Sequence, residues 1–392
     1  MRVARESQVV TAIADALEPF VDAGEVAGLV ALVARGDDVE VTVLGDQAMG
    51  GSPMRKDSLF RVASAGKPVT AAAALALVAD GRLTLDQPVD DLLPELAQRR
   101  VLREPSAALD DTVPAVRPVT MRDLLRSTSG LGFSSDFTAP ISAALFERLN
   151  QGPPRPQDFA PPDEWIARVG ELPLIHQPGE GFTYNTAYDI LSVLIARASG
   201  RSFDDYLAER ILEPLAMLDT GFSFPPGEAA RTTTAYRRAD EGGLVVVDEP
   251  DGQFARPPLF ASGAGGYVST AADLLRFQRM LLDHRGGDVL PGRWVAEMMT
   301  DQLSPAIRAT DSIFLDGQSW GYGGGVDIEQ REPWHVIGRY GWVGGTGTCA
   351  YVVPSDGSIS ILLTQTELGG AGSALVLEAF WTAAAAHHGH DH

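Results

Sequence analysis

The chain has 392 residues, a formal net charge of −21 and 45% hydrophobic residues, which is a globular composition with a strong acidic bias. This length allows two or three domains, or one large fold with an inserted subdomain. Affinity for nucleic acids and anionic membranes depends on clustered Lys and Arg, and the sequence contains no basic stripe. We therefore expect neither kind of partner.

Cys349 is the single cysteine, which excludes internal disulfides and Cys-rich metal sites. The chain has no apolar run as long as a secretory signal or a membrane span, so we expect a cytoplasmic protein without a membrane span. A chain whose leader had been removed would look the same. The histidines at 387–392 are more typical of a disordered tail than of a metal site, and we expect no metal or cofactor.

In the first part of the chain, apolar side chains at helical spacing predict a surface helix over residues 6–22. The apolar run 27–34, a turn and the β-branched run 39–44 predict a hairpin of two core strands. An Ala-rich stretch, Lys67 to Ala79, predicts a helix buried on most sides, with Ser64 at its start.

The middle of the chain predicts short helices separated by Pro/Gly-rich loops, namely 121–125, 141–149, 162–169, 185–198 and 203–211. The long loops 151–162 and 239–259 are candidates for the walls of a binding pocket. After a helix over 270–282, the pattern returns to strands at 348–353 and 359–364 and to a closing helix over 371–386.

Strands at both ends of the chain with helices between them predict an α+β fold with one sheet built from both termini. We expect a single catalytic unit over residues 1–392. Within it, residues 1–80 and 250–392 would form an α/β subdomain, and residues 81–249 would form an inserted, mainly helical subdomain.

The strongest chemical signal is the segment Ser64-Ala65-Gly66-Lys67. Residues three apart on a helix share a face, so the Lys67 amine can approach the Ser64 hydroxyl. A lysine that loses its proton can deprotonate a serine, and the helix start offers a free N–H for an oxyanion. Lys56 is the one other lysine, in a chain that otherwise uses arginine, which cannot release a proton.

A rival nucleophile is Ser319, which lies in a G-x-S-x-G segment, Gly317 to Gly321. The α/β-hydrolase elbow with this pattern requires a helix directly after the serine. The glycine-rich sequence that follows Ser319 cannot hold a helix, so we interpret Ser319 as part of a glycine-rich strand.

Several further segments, in order along residues 27–365, resemble the serine β-lactamase and penicillin-binding-protein superfamily, in particular its class C-like branch with the family VIII carboxylesterases. The matching segments are Leu59–Ser64, Leu124–Leu131, Gln177–Gly179, Phe182–Thr186, Glu213–Met217 and Ser262–Thr270. The resemblance implies a β-lactamase/transpeptidase-like fold, with an antiparallel sheet flanked by helices.

The resemblance also assigns the family's catalytic tyrosine to Tyr184. A phenolate stabilised by Lys67 could share the deprotonation of Ser64 and later protonate the leaving group. The family pattern places its substrate-binding asparagine two residues after the tyrosine, whereas this chain has Asn185 directly after it and Thr186 at the expected position.

The third motif of the family, a cationic residue, a hydroxyl residue and a glycine, aligns with Trp342-Val343-Gly344. Tryptophan and valine cannot bind a lactam carboxylate as the family's cation and hydroxyl do. Family VIII carboxylesterases commonly carry a tryptophan-glycine-glycine version. Gly344 would let the strand approach a ligand closely, and the Gly345 N–H would be the second oxyanion donor beside that of Ser64.

These residues predict a serine hydrolase that acts on short-chain or small alcohol esters through an acyl-enzyme on Ser64. Acyl transfer, lactam hydrolysis, D-peptidase activity and a catalytically silent binding or sensor role on the same fold remain alternatives. An arginine from another loop could replace the missing cation, and Arg256 and Arg339 are candidates by position. The sequence does not identify the natural ester or the oligomeric state.

Overall fold

The computed structural model describes residues 2–283, 289–369 and 374–390, with side chains from residue 12 onward. Among these residues the strands are β1 Gly28–Arg35, β2 Asp38–Gly45, β3 Phe60–Arg61, β4 Arg100–Leu102, β5 Thr112–Pro114, β6 Ala235–Arg238, β7 Leu244–Asp248, β8 Val268–Ser269, β9 Gln318–Trp320, β10 Gly325–Asp327, β11 Tyr340–Gly344, β12 Thr348–Val353 and β13 Ser358–Thr364.

The helices in the same residues are α1 Arg2–Asp22, α2 Lys67–Ala79, α3 Met121–Leu125, α4 Pro140–Leu149, α5 Pro162–Gly170, α6 Thr186–Ser199, α7 Phe203–Leu207, α8 Ala271–Leu282, α9 Gly292–Met298, α10 Pro305–Arg308 and α11 Leu375–His388. Every predicted helix is confirmed within a few residues at its ends. The predicted start of the closing helix, 371–373, lies outside the described residues, as do the side chains of the first residues of α1.

Seven antiparallel strands form the main sheet in the order β2-β1-β13-β12-β11-β10-β9. The first and last segments of the chain meet in it, because β1 pairs with β13 from Leu29 opposite Thr364 to Arg35 opposite Ser358. This arrangement confirms the predicted α+β fold and the antiparallel sheet built from both chain ends.

Both faces of the sheet are covered, which explains why β1 is apolar throughout rather than alternating. Leu29, Ala31 and Val33 pack with Ile13 and Leu17 of α1 and with residues of α11. The intervening residues of β1 point into the larger core on the other face, which contains the buried alanines of α2. The small side chains of α2 let neighbouring elements approach it from all sides.

The region between residues 81 and 249 contains α3 to α7 and also two short antiparallel pairs, β4 with β5 and β6 with β7. The sequence analysis did not predict these pairs, since strands of three to five residues are too short to show an alternating pattern. The predicted division into subdomains remains a prediction.

A search of the described helices found none with the length and apolar character needed to cross a membrane.

Candidate active site

Ser64 lies in a 3₁₀ turn, Ala63–Gly66, that leads directly into α2. Ala63 has a left-handed backbone with φ of 44°, and Gly66 packs so closely on Tyr267 that a Cβ would lie 2.2 Å from its ring. This tight turn brings the Ser64 Oγ to 2.6 Å from the Lys67 Nζ. The Ser-x-x-Lys spacing thus produces the predicted contact.

Lys67 is fully buried, and its Nζ contacts two further oxygens, the Ala264 carbonyl at 2.5 Å and the Asn185 Oδ1 at 2.9 Å. Burial lowers the pKa of Lys67 from 10.5 to about 7, although the negative charge of Asp189 opposes this shift. A neutral amine has two N–H groups and one lone pair. Donation to the two carbonyl oxygens leaves the lone pair available to the Ser64 hydroxyl.

Tyr184 lies beside this pair, with its Oη 3.3 Å from the Lys67 Nζ. The Oη accepts a hydrogen bond from Trp342 Nε1 at 2.7 Å, and the ring stacks on Phe314 with a centroid distance of 4.2 Å. Burial raises the pKa of Tyr184 to about 12, so the phenol is protonated near neutral pH. This argues against the phenolate considered from the sequence and leaves the amine of Lys67 as the group able to accept a proton.

Asn185 has a left-handed backbone, with φ of 82° and ψ of −68°, at the start of α6. Such conformations cost free energy and occur often at functional sites. Here the strained turn directs the Oδ1 of Asn185 at Lys67, while its Nδ2 donates to Gln151 Oε1 at 2.6 Å. The asparagine therefore reaches the lysine although it lies one residue closer to Tyr184 than in the family pattern.

Two buried residues that the sequence analysis missed, Asp189 and Gln151, connect the groups around Lys67. One oxygen of Asp189 accepts hydrogen bonds from Ser262 Oγ and the Ala264 N–H, at 2.6 and 3.1 Å, and the other accepts from Gln151 Nε2 at 2.8 Å. Asp189 thereby anchors both the loop that carries the Ala264 carbonyl and the glutamine that holds Asn185. A lone acidic residue on the otherwise apolar face of α6 was the available sequence signal.

The end of β11 lies against the Ser64 turn. A Cβ at Gly344 would lie 2.3 Å from the carbonyl oxygen of Val62 and from Thr348 Oγ1, so only glycine fits there. Gly345 is exposed to open space, and its carbonyl accepts a hydrogen bond from the Leu368 N–H at 2.7 Å. Gly345 and Ser64 line the same cavity.

That cavity, which we call the main cavity, has a volume of about 410 Å³. Ser64, Tyr184 and Asn185 lie in its wall, and most of the remaining lining is apolar. The apolar residues include Phe133, Phe137, Phe146, Pro153, Pro154, Phe159, Phe314, Trp342, Val343 and Leu368. Part of the predicted pocket loop 151–162 contributes, and the apolar wall suits an uncharged organic group.

Neither arginine considered as a replacement for the third-motif cation lines the main cavity. Arg339 is buried in an ion pair with Asp327 at 2.8 Å, and its guanidinium packs on Tyr351. Arg256 is exposed and also outside the lining. The rival serine, Ser319, is buried in β9 and its Oγ donates a hydrogen bond to Asp301, so it does not reach the cavity either.

A sheet built from both chain ends, with a serine and a buried lysine at the start of a central helix, defines the class of β-lactamase-fold serine hydrolases. The Beta-lactamase family model matches residues 13–378, and the chain belongs to this family.

Several curated relatives match most of the chain, including the following two. Protein Rv1367c of Mycobacterium tuberculosis is 36% identical over 88% of this chain and 87% of its own length. Esterase EstB of Burkholderia gladioli is 30% identical over 89% of this chain and 88% of its own.

Among solved structures, EstCE1, described as a hydrolase with promiscuous acyltransferase activity, superposes with a TM-score of 0.77. The superposition covers 96% of this chain and 100% of that one, at 20% sequence identity. At this identity the likeness concerns the fold.

Proposed function

We propose that this protein is a carboxylesterase that cleaves short-chain esters through an acyl-enzyme on Ser64. The observation that carries the proposal is the 2.6 Å contact between Ser64 and a buried lysine whose pKa is lowered to about 7. The mostly apolar main cavity and the similarity to an esterase support an ester as the substrate.

In the first half of the reaction, the Ser64 Oγ attacks the ester carbonyl carbon while Lys67 Nζ takes the hydroxyl proton. The negative charge moves to the carbonyl oxygen, where the amide N–H groups of Ser64 and Gly345 would stabilise it. The intermediate then expels the alcohol oxygen, which receives a proton through Tyr184, as Lys67 returns the proton it took. The products of this half are the free alcohol and the acyl-enzyme.

In the second half, a water molecule attacks the acyl carbon of the ester to Ser64. Lys67 takes a proton from the water, the Ser64 oxygen leaves and is reprotonated, and the carboxylic acid departs. Trp342 would act on this cycle through its hydrogen bond to Tyr184, which fixes the position of the phenol. Gly344 would act through backbone packing, since it lets β11 lie against the turn that carries Ser64.

The test is hydrolysis of 4-nitrophenyl acetate and butyrate by wild type, Ser64→Ala and Ser319→Ala. We expect Ser64→Ala to lose several orders of magnitude in kcat, by analogy with the roughly 10⁶-fold loss on removing the subtilisin nucleophile, and Ser319→Ala to keep most activity. Fluorophosphonate labelling followed by mass spectrometry should place the adduct on Ser64. An adduct on Ser319 with Ser64 unmodified would overturn the assignment.

The second candidate is acyl transfer to an alcohol. It is favoured by the apolar wall beside Ser64, which could hold an acceptor in place of water, and by the fold that this chain shares with EstCE1. Adding increasing amounts of an alcohol to the hydrolysis assay separates the two, because a transferase yields the new ester at the expense of the acid. A protein with no burst of 4-nitrophenol at all would instead be a binding or sensor protein.

A further inference from the structure

A second cavity, of about 280 Å³, adjoins the main cavity and shares part of its wall. The shared lining residues are Pro153, Pro154, Arg155 and Glu367. Unlike the main cavity, the second cavity has three arginines in its lining, namely Arg61, Arg155 and Arg237. A substrate that fills the main cavity could therefore extend past Arg155 into a polar compartment.

The three arginines differ in whether their charge is already neutralised. Arg61 is buried and bonded to Asp248, with 2.8 Å between its Nε and a carboxylate oxygen. Arg155 and Arg237 are exposed, and in the part of the chain that the structure describes neither makes an ion pair or a side-chain hydrogen bond. Most of the described arginines pair with a carboxylate, so these two belong to the minority whose charge is not neutralised by a neighbour.

Two carboxylates line the second cavity: Asp248, which is bonded to Arg61, and Glu367, on which the charges of both free arginines act. Glu367 is half-buried, and burial raises its pKa, while the positive charges of Arg237 and Arg155 oppose this shift. It makes no ion pair within 4 Å among the described residues. With Arg61 neutralised by Asp248, two guanidinium groups face one carboxylate, which leaves one positive charge uncompensated.

The backbone around Arg155 is also restrained. It is flanked by Pro154 and Pro156, whose rings fix their own backbone angles. Two residues further on, the side-chain amide of Gln157 donates hydrogen bonds to the backbone carbonyls of Gln253 and Arg256, which ties this loop to a neighbouring segment. Arg237 projects from β6, which pairs with β7 beside the second cavity. A guanidinium on a stiff support loses less conformational entropy when it binds a planar anion.

We propose that the second cavity is a carboxylate-binding subsite, and that the substrates are esters whose far end carries a carboxylate held by Arg155 and Arg237. This inference rests on the proposed esterase function and names the substrate class. The subsite lies beyond the apolar wall, whereas the family's lactam-carboxylate site lies at the third motif, next to the scissile bond. A distal carboxylate would thus be accepted although the motif Trp342-Val343-Gly344 offers no cation.

The first experiment compares kcat/KM for matched charged and neutral esters. For a carboxylate on the acyl side, the pairs are 4-nitrophenyl hemiesters of succinic, glutaric, adipic and suberic acid and the uncharged 4-nitrophenyl esters of equal length. For a carboxylate on the alcohol side, they are acetates of ω-hydroxy acids and alkyl acetates. For each pair we take the ratio of kcat/KM for the charged ester to kcat/KM for the neutral ester. At the chain length that gives the highest ratio, wild type should exceed the double variant Arg155→Gln/Arg237→Gln about tenfold.

Arg148→Gln is the matched control, because Arg148 is an exposed arginine of α4 outside both cavities and its loss changes the net charge in the same direction. We expect it to keep the wild-type ratio. Added salt should reduce the advantage of the charged esters in wild type and leave the double variant unchanged. Equal ratios for wild type and the double variant in both series would overturn the subsite.

A binding measurement keeps this result separate from the esterase proposal. Titration calorimetry with adipate and suberate on wild type should show binding that the double variant weakens about tenfold and that Arg148→Gln leaves intact. If neutral esters are not hydrolysed but this pattern of binding is found, the proposed function fails and the subsite stands. If esters are hydrolysed and neither dicarboxylate binds in an arginine-dependent way, the subsite fails alone.

Discussion

The lowered pKa of Lys67 makes a quantitative prediction for the pH dependence of ester hydrolysis. An amine with the ordinary pKa of 10.5 would be neutral in about 0.03% of molecules at pH 7, whereas a pKa of about 7 makes about half of them neutral. In the proposed mechanism, this lowered pKa raises the fraction of molecules with a neutral Lys67 base by roughly a thousandfold. We expect kcat/KM to rise about tenfold per pH unit below neutrality and to level off above it.

Substitutions at and near Lys67 distinguish its ability to accept a proton from its positive charge. Lys67→Arg keeps the charge but cannot release a proton at working pH, so it should be nearly as inactive as Lys67→Ala. Asp189→Asn removes the negative charge that raises the lysine pKa, so the midpoint of the profile should move to lower pH. Asp273→Asn is the control, because Asp273 is also buried but lies outside the site. Its carboxylate accepts hydrogen bonds from the Asp219 N–H and the Thr220 hydroxyl.

The assay is the initial rate of 4-nitrophenyl butyrate hydrolysis at low substrate concentration, which reports the free enzyme. The apparent midpoint belongs to Lys67 together with the groups it interacts with. A midpoint near 10 in wild type, or substantial activity in Lys67→Arg, would refute the role of a neutral lysine as the base.

Three further predictions concern the groups around this pair. Tyr184→Phe removes the proposed proton donor to the leaving group, so kcat should fall by about 10²–10⁴-fold in the same ester assay. The thermal unfolding curve checks that the variant is folded. Gly344→Ala places a methyl group 2.3 Å from the Val62 carbonyl oxygen, so the free energy of unfolding, measured in urea, should fall by about 1–3 kcal/mol. Gly345→Ala is the control, because its methyl group meets open space and should leave the free energy of unfolding unchanged. The kcat/KM for nitrocefin should be roughly ten- to a hundredfold below that for 4-nitrophenyl butyrate, because the nitrocefin carboxylate finds no charge-assisted hydrogen bond at Trp342 and Val343. Equal kcat/KM values for the two substrates would instead indicate a β-lactamase with an unusual third motif.

The features that the sequence determined are those set by neighbours along the chain. The distance of three residues between Ser64 and Lys67 is one turn of helix, whatever the rest of the protein does. The Ala-rich run of α2 and the apolar run of β1 likewise specify buried elements from local pattern alone, and both are confirmed. Similarly, the glycines after Ser319 excluded a helix there, and the structure has a strand at this position.

The tertiary structure decided the features that depend on residues far apart in the chain. The amine of Lys67 loses its proton readily because the complete fold buries it, and no local pattern encodes that burial. The oxygens that contact it belong to Ala264 and Asn185, about 200 and 120 residues away along the chain. The same holds for Asp189, whose partners come from two distant loops. Sequence reasoning could name Tyr184 but not the state of its hydroxyl, because a pKa depends on solvent exclusion by the complete fold.

The search for an arginine that could replace the third-motif cation also shows that sequence position does not predict which side chains share a cavity. Arg256 and Arg339 were chosen by position in the sequence, and the fold buries Arg339 against Asp327 and leaves Arg256 outside the cavities. Arg155 lies in a loop and Arg237 lies 82 positions later in β6, and no shared sequence pattern links them. The fold nevertheless places both in the wall of the second cavity. Local sequence thus determined the proposed nucleophile and its helix, while the packing of distant segments determined the ionisation of the site and the shape and charge of its cavities.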